Sequence, residues 1–499
     1  MASDERVAGG DVVLAIDQGT SATKAVVVTD RGEISHRATV PIHQSYPQPG
    51  WAEQDPMEIW RSVQRAVADV LSEAHPRRVL AVGLSTQRES TLLWDRNTGQ
   101  PLGPLLGWQD TRGAGLCAKL RTDGHADRIR ETTGLPLDAM FSASKAAALL
   151  DRHDPDRSRS SRGELCLGTI DSWLLWQLDG RHLIETGNAA RTQLLDISTC
   201  RWDPWLLDVF NVPLPALPQV TSSTGPFTTC RDLHPSLREV PVTGVLGDSH
   251  AALFAHAGWT GGRVKVTYGT GSSVMGVTTT EVKQAAGVAR TIAWQLGEPT
   301  YALEGNIRSS GATLVWLARL LNSTPGELAG AAASDSQGVF IVPAFTGLGA
   351  PWWDDRARAV IVGLTDSTSR EQLARAALES IAFQVEDVVA AVEHAGGSVR
   401  MILADGGPST NATLMQLQAD TSGRHVRTSP AAELSALGAA HVAGLGAGLW
   451  SIADLDRVSR TGADYRPNPA DTSRHERLHD WHTAVTAARE LPRQARNQP

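Results

Sequence analysis

The chain has 499 residues, 41% of them apolar and 20% charged, with 46 glycines and 26 prolines. That composition excludes collagen-like, disordered and disulfide-scaffold chains and predicts two to four domains. A formal net charge of −8 supplies no basic footprint for nucleic acid or an anionic membrane.

The opening MASDERVAGG is polar, with no apolar core of a signal segment, and no apolar run reaches the roughly 18 residues a membrane span needs. A cytoplasmic protein with flexible tails at 1–10 and 490–499 is the expectation. From Val12 the sequence reads VVLAIDQGTSATKAVVVTDRGEI, two β-branched apolar runs around a small polar turn, which predicts a strand–loop–strand hairpin. Asp55-Pro56-Met57-Glu58 then places an N-cap, a first-turn proline and an acid ahead of Ile59, Val63, Ala66, Val67, Val70 and Leu71 at helical spacing, predicting a helix over 56–74. VLAVGLS and TLLWD follow as strands, so helices alternate with strands as in an α/β sheet. Residues 153–163, HDPDRSRSSRG, read as an exposed loop, and NVPLPALPQVTSSTGPF from Asn211 as a surface excursion. A domain boundary is placed near Gly247 to Ala252, because a second hairpin, RVKVTYGTGSSVMGV, starts soon after at Arg263. Ser369-x-x-Gln372 forms a capping box for a helix burying Leu373, Ala377, Ile381, Val385 and Val388. Cys117, Cys166, Cys200 and Cys230 make no CxxC pair and read as buried free thiols.

Several turns carry residues suited to chemistry. Asp17-Gln18-Gly19-Thr20-Ser21 ends an apolar strand, where a carboxylate can face a metal while N–H groups and hydroxyls face phosphate oxygens. The same residues also suit an ordinary tight turn. Tyr268-Gly269-Thr270-Gly271 is a second such loop, and two of them could grip one polyphosphate without the Walker sequence, which is absent. LADGGPSTN, from Leu403, is either a nucleotide seat or a strand-to-helix turn capped by Ser409 or Thr410. Asp248, ahead of the small-residue run AALFAHAG, is either an N-cap or a carboxylate that accepts an alcohol proton. Arg88-Glu89 offers a donor and an acceptor to polyol hydroxyls, or is a solvated surface pair.

Taken together, these segments resemble the FGGY carbohydrate kinases, and within them the glycerol kinases most. The resemblance runs over nearly the whole chain through DQGTSATKAVV, YPQPGWAEQDPMEIW, STQRESTLLWD, GWQDTR, TIDSWLLW, GDSHAALF, TYGTGSS, YALEG, PAFTGLGAPWWDDRAR, VGLT, LES and DGGPSTN. It implies an α/β fold of two actin-like ATPase (ribonuclease H-like) domains closing around a cleft. Residues 11–250 would bind the polyol and carry the first phosphate loop, and 251–489 would bind most of the MgATP. Asp248 resembles the general base, and Asp17 with Asp248 the carboxylates near Mg²⁺. Thr20, Ser21 and Lys24 match the first phosphate loop, Gly269 and Thr270 the second, and Gly311, Val315, Gly407 and Asn411 the nucleotide contacts. Arg88, Glu89, Trp108, Met140, Asp248 and Ser249 stand at the acceptor positions.

The departures from that pattern are specific. Lys24 stands where arginine is usual, keeping the charge and losing the bidentate fork. Val315 replaces a usual glutamine, and Arg308 a usual apolar residue, where it touches either the nucleotide or the surface. Met140 replaces a tyrosine and Ser249 a glutamine, so two hydroxyl-directed groups are missing. Either specificity moves toward a longer polyol or glycerol binds with a higher KM.

The resulting expectation is ATP-dependent phosphorylation of a terminal hydroxyl of glycerol or of a four-carbon polyol such as erythritol or threitol. A pentulose-type ketose kinase is the alternative, disfavoured by Gln87-Arg88-Glu89 where pentulose members carry a Met-His-Gly type of segment. A non-kinase actin-like ATPase would lack the set Arg88, Glu89, Trp108 and Asp248. Family precedent suggests a homodimer or homotetramer.

Overall fold

The computed structural model describes residues 10–278, 287–396, 399–429, 431, 433–460 and 462–491. The tails expected at 1–10 and 490–499 lie, but for Gly10, Glu490 and Leu491, outside the described residues. Chain contacts define two compact units. Unit 1 comprises Met1–Ala257, Arg290–Tyr301 and Glu433–Ser459, and unit 2 comprises Gly258–Ala289, Ala302–Ala432 and Arg460–Pro499. The stretch 251–489, read from the sequence as continuous, is thus divided between them. The helix Leu434–Gly446 returns to unit 1 because its small residues let backbones meet: a Cβ on Gly438 would sit 1.8 Å from the carbonyl oxygen of Ala251.

The main sheet of unit 1 runs in the order Thr228–Thr229, Pro241–Gly247, Val79–Thr86, Val12–Gln18, Ala22–Val28, Ile34–Pro41. Val12–Gln18 pairs antiparallel with Ala22–Val28, Asp17 opposite Lys24, which is the expected hairpin. On its other side it pairs parallel with Val79–Thr86, which pairs parallel with Pro241–Gly247. Strands covered on both faces read as continuous apolar runs, and Val12–Gln18 is buried at every position. The helix Pro56–Ala74 spans the expected residues, with the six named apolar positions buried. Asp55 caps it by accepting the Met57 N–H at 2.8 Å, while Glu58 accepts the N–H of His43 at 2.9 Å instead of closing a capping box.

The strand expected at TLLWD forms as Leu92–Asp95, outside the main sheet and paired antiparallel with Leu165–Gly168. One local expectation fails for a physical reason. Residues 153–163 are not an open loop. A short helix, Ser158–Ser161, forms there, because Asp154 accepts the N–H groups of Arg159 and Ser160 and Arg157 turns inward onto the carbonyls of Asp154 and Asn211. Polar residues can be buried where they satisfy one another's hydrogen bonds.

In unit 2, the second hairpin, Arg263–Tyr268 with Ser272–Thr278, forms as expected. Its first strand pairs parallel with Met401–Asp405, which pairs parallel with His425–Thr428. The helix Arg370–Gly396 starts in the expected reciprocal box: Ser369 N–H donates to Gln372 Oε1 at 2.8 Å and Gln372 N–H to Ser369 Oγ at 3.3 Å. Ala377, Ile381, Val385 and Val388 are fully buried, and Leu373 is partly buried against the same core. Among the described residues all four cysteines are free, Cys117, Cys166 and Cys230 buried and Cys200 half-buried. No described helix is long and apolar enough to cross a membrane.

The helix Arg474–Glu490 docks on unit 2 through Trp481, stacked on Phe383 with centroids 5.2 Å apart, and through Asp387, which accepts from Trp481 Nε1 and His482 Nε2, each at 2.8 Å. The Asp387 hydrogen bond raises the His482 pKa above its ordinary 6.5. A histidine with a raised folded pKa stabilises fully below its unfolded pKa and loses that contribution as pH climbs through the folded value. His482→Gln should therefore lower Tm more at pH 5.5 than at pH 8.5 in differential scanning fluorimetry. A pH-independent difference would contradict the assignment.

Candidate active site

Parallel neighbours set the geometry of unit 1. Asp17 lies opposite Ser85, and Thr86 lies opposite both Gln18 and Gly247. Asp17, the segment Gln87-Arg88-Glu89 and Asp248 therefore leave three adjacent parallel strands at the same carboxyl-terminal end, where open α/β sheets place ligands.

Asp17 is 9% exposed, and its carboxyl is raised to about 6. Burial is the main cause, Asp248 and Glu433 add to it, and the Ser85 hydroxyl at 2.8 Å and Lys24 oppose it. Asp248 is the first residue of the helix Asp248–Ala255, whose N-cap is Gly247. Its Oδ1 accepts the Ser249 N–H at 2.6 Å and lies 3.2 Å from Arg88 Nε, while its side chain stays 38% exposed. Of its two expected fates, the capping position belongs to Gly247, and the carboxylate is open to solvent beside a buried guanidinium.

Arg88 and Glu89 are 7% and 6% exposed, so the solvated-pair reading is excluded. Glu89 adopts a left-handed backbone, φ 59°, and its Oε1 lies 2.5 Å from Nε of Arg191. Trp108, 42% exposed, places its Nε1 3.3 Å from the Thr20 hydroxyl. Met140 and Ser249 are half-buried, the Met140 N–H held by Asp138 Oδ1 at 2.8 Å. Ser21 is exposed, and Lys24 Nζ lies 2.6 Å from Glu433 Oε2. Arg191 and Glu433 escape sequence reasoning because each is 102 and 409 residues, respectively, from its partner.

Unit 2 holds its expected residues in one backbone cluster. The carbonyl of Gly269 accepts the Gly311 N–H at 2.9 Å, and that of Thr270 accepts the N–H groups of Ser310 and Ala312 at 2.8 and 3.0 Å. A Cβ on Gly311 would meet the Gly269 carbonyl at 2.6 Å and Pro408 at 3.7 Å, so the three loops close on one another. Gly406 (φ 88°) approaches the Tyr268 carbonyl so closely that a Cβ would fall 2.0 Å away, whereas one on Gly407 would meet nothing within 4 Å. Bare backbone at Gly407 thus faces open space. The helix Ala412–Ser422 is capped by Asn411, whose Oδ1 accepts the Leu414 N–H at 2.9 Å; Ser409 and Thr410 instead donate to the carbonyls of Gly406 and Gly407. Val315 is 47% exposed on the helix Gly311–Leu320. Arg308 donates to the Thr346 carbonyl at 2.7 Å and pairs with exposed Asp355 at 2.6 Å.

Among the described residues no group of three or more His, Cys, Asp and Glu could hold a metal ion by itself. Asp17 and Asp248 fit a different requirement, because Mg²⁺ is usually bound through one or two carboxylates plus substrate phosphates.

Two mixed α/β units with carboxylates at parallel strand ends and glycine loops define a nucleotide-dependent phosphotransferase of actin-like ATPase fold. Residues 12–255 match the N-terminal domain, and 264–447 the C-terminal domain, of the FGGY family of carbohydrate kinases. The chain belongs to that family and is a phosphotransferase with an alcohol group as acceptor, which sets aside the non-kinase ATPase. It is 44% identical to a glycerol kinase of Dechloromonas aromatica, covering 95% of this chain and 96% of that protein. It is 42% identical to an apulose kinase of Pectobacterium atrosepticum, covering 96% and 99%. A crystal structure of Plasmodium falciparum glycerol kinase with ADP superposes with a TM-score of 0.92 at 30% identity, covering 97% and 99%.

The raised pKa of Asp17 gives a test. An acid whose folded pKa is raised from 3.8 to about 6 penalises folding, by nothing below pH 4 and fully above pH 6. Asp17→Asn should therefore raise stability by on the order of 2–3 kcal/mol at pH 8 without nucleotide or metal, and by little at pH 4. Thermal unfolding at both pH values checks this, and a loss of stability at pH 8 would contradict it.

Proposed function

We propose that this chain transfers the γ-phosphoryl group of ATP, as its Mg²⁺ complex, to a terminal hydroxyl of a short polyol, either glycerol or a four-carbon polyol such as erythritol or threitol. The observation that carries this assignment is the exposed Asp248 carboxylate held 3.2 Å from the buried Arg88 guanidinium, at the same sheet end as Asp17. Arg88 and Glu89 bind acceptor hydroxyls as donor and acceptor, and Trp108, Met140 and Ser249 line the remainder of that pocket. Asp248 takes the hydroxyl proton as the alcohol oxygen bonds to phosphorus and the bond to the ADP oxygen breaks. Positioning supplies most of the catalysis in such a transfer, because little covalent chemistry is left to the protein.

Asp17, with Asp248 nearby, would hold Mg²⁺, which when bound neutralises charge on the phosphates. Thr20, Ser21 and Lys24 hold the phosphates from residues 11–250, with Lys24 exchanging Glu433 for phosphate oxygens. Gly269 and Thr270 hold them from residues 251–489, where Gly311, Val315, Gly407 and Asn411 seat the nucleoside. Asn411 does so through its amide nitrogen, since its Oδ1 caps a helix. Val315 offers the base apolar contact and no hydrogen bond. Arg308, engaged by Asp355, is a surface residue in this assignment. A cytoplasmic homodimer or homotetramer, with no nucleic-acid or membrane partner, completes the proposal.

The 42% identical apulose kinase supports a second reading, a ketose-type sugar as acceptor. Met140 and Ser249 leave room and remove two hydrogen-bonding groups, which suits an acceptor longer than glycerol.

A coupled ADP-release assay at saturating MgATP separates these readings by comparing glycerol, erythritol, both threitol enantiomers, apulose and a pentulose. A short polyol should give the highest kcat/KM, and a ketose ahead by tenfold would overturn the polyol assignment. If a four-carbon polyol leads, restoring the two groups by Met140→Tyr and Ser249→Gln should shift preference toward glycerol by about tenfold or more.

A further inference from the structure

Two cations deep in unit 1 have no part in the transfer step as assigned. Arg191, 1% exposed, follows the short helix Thr186–Ala190. Its Nε lies 2.5 Å from Glu89 Oε1, and its guanidinium carbon lies 5.1 Å from the ring centroid of Phe141. Lys145, fully buried in the helix Ser142–His153, donates to the carbonyl oxygens of Met140 and, at 3.4 Å, Ala139. Burial pushes its ammonium down to about 8, while Glu89, Asp110, Asp138 and Cys117 pull it back up.

Both cations converge on one short stretch, Ala139-Met140-Phe141. Lys145 holds its carbonyls and Arg191 covers its aromatic ring. Asp138 fixes the Met140 N–H, and the Thr192 carbonyl accepts the Ala143 N–H at 2.8 Å, tying the start of the same helix to the residue after Arg191. Glu89 faces both cations, directly for Arg191 and through its field for Lys145. Its left-handed backbone is costly for a residue with a Cβ and needs surroundings that hold it. A buried lysine or arginine is expensive unless paired, so two of them beside one turn and one carboxylate fix those groups within narrow limits.

We propose that Arg191 and Lys145 are positioning residues for the acceptor: Arg191 fixes the Glu89 carboxylate and Lys145 fixes the carbonyls that aim Met140. Recognition of the alcohol then depends on two side chains that do not touch it. This rests on the assignment of Glu89 and Met140 to the acceptor pocket.

The test is steady-state kinetics on full-length Arg191→Met, Arg191→Lys and Lys145→Met with the best acceptor found for the unmodified enzyme. Arg191→Met should raise the acceptor KM about tenfold or more while the KM for MgATP stays within about twofold, and Arg191→Lys should recover part of the loss. Lys145→Met should raise the acceptor KM about threefold or more. In the unmodified enzyme the acceptor KM should climb above pH 8 as Lys145 loses its proton, a limb that Lys145→Met removes. Equal changes in both KM values, or a lower Tm with an unchanged acceptor KM, would reduce both residues to a structural role and overturn the proposal.

A thermal-unfolding cycle gives a readout independent of catalysis. Arg191→Met should lower Tm at pH 8 by about 4 °C or more, and adding Glu89→Gln should recover at least half of it. If no alcohol is phosphorylated by the unmodified enzyme, the functional assignment fails, and the cycle alone then decides whether Arg191 holds Glu89. No coupling in the cycle overturns the proposal.

Discussion

Two carboxylates, Asp17 and Asp248, are delivered to one end of a parallel sheet, where burial disfavours the charge of Asp17 and the neighbouring Asp248 adds to that effect. Neighbouring parallel strands force the meeting, since residues opposite one another in register leave the sheet side by side. Burial raises the Asp17 carboxyl to about 6, with Asp248 and Glu433 adding to the effect. The Ser85 hydroxyl and Lys24 oppose it, and the buried Arg88 guanidinium lies 3.2 Å from Asp248. A site poised with an excess of negative charge is suited to take up a divalent cation together with phosphates, which restores the balance.

Unit 2 meets the opposite problem by removing side chains. Anionic phosphates and a flat base are approached most closely by bare backbone, and Gly311 and Gly406 approach the carbonyls of Gly269 and Tyr268 more closely than a Cβ would permit. Gly407 then presents open backbone, and Asn411 anchors the following helix at its first turn. Under the proposed function, the carboxylates of unit 1 serve the chemistry and the glycine loops of unit 2 hold the nucleotide.

Much of this was legible in the sequence because it is local. The hairpins around Asp17 and Gly269, the helix over 56–74 and the Ser369–Gln372 box each follow from spacing within a few residues. Non-local features were not legible. Nothing near Glu89 announces Arg191, and nothing near Lys24 announces Glu433, because pairing across 102 and 409 residues is decided by topology. The return of Leu434–Gly446 to unit 1 depends on a close backbone approach that pattern alone does not reveal. Lys145 did leave a trace, a lysine inside the apolar run ASKAAALL in a chain with few lysines. The 153–163 stretch misled because polarity was read as exposure, whereas Asp154, Arg157 and Ser160 satisfy one another and are buried.

The most direct measurement of the central claim is Asp248→Asn assayed for phosphoryl transfer and, separately, for MgATP binding by calorimetry. With the carboxylate as proton acceptor, transfer should fall by about 10²-fold or more while nucleotide affinity stays within a few-fold. A variant that transfers phosphate at an unimpaired rate would contradict the account, because the carboxylate beside Arg88 would then not be the group that takes the alcohol's proton.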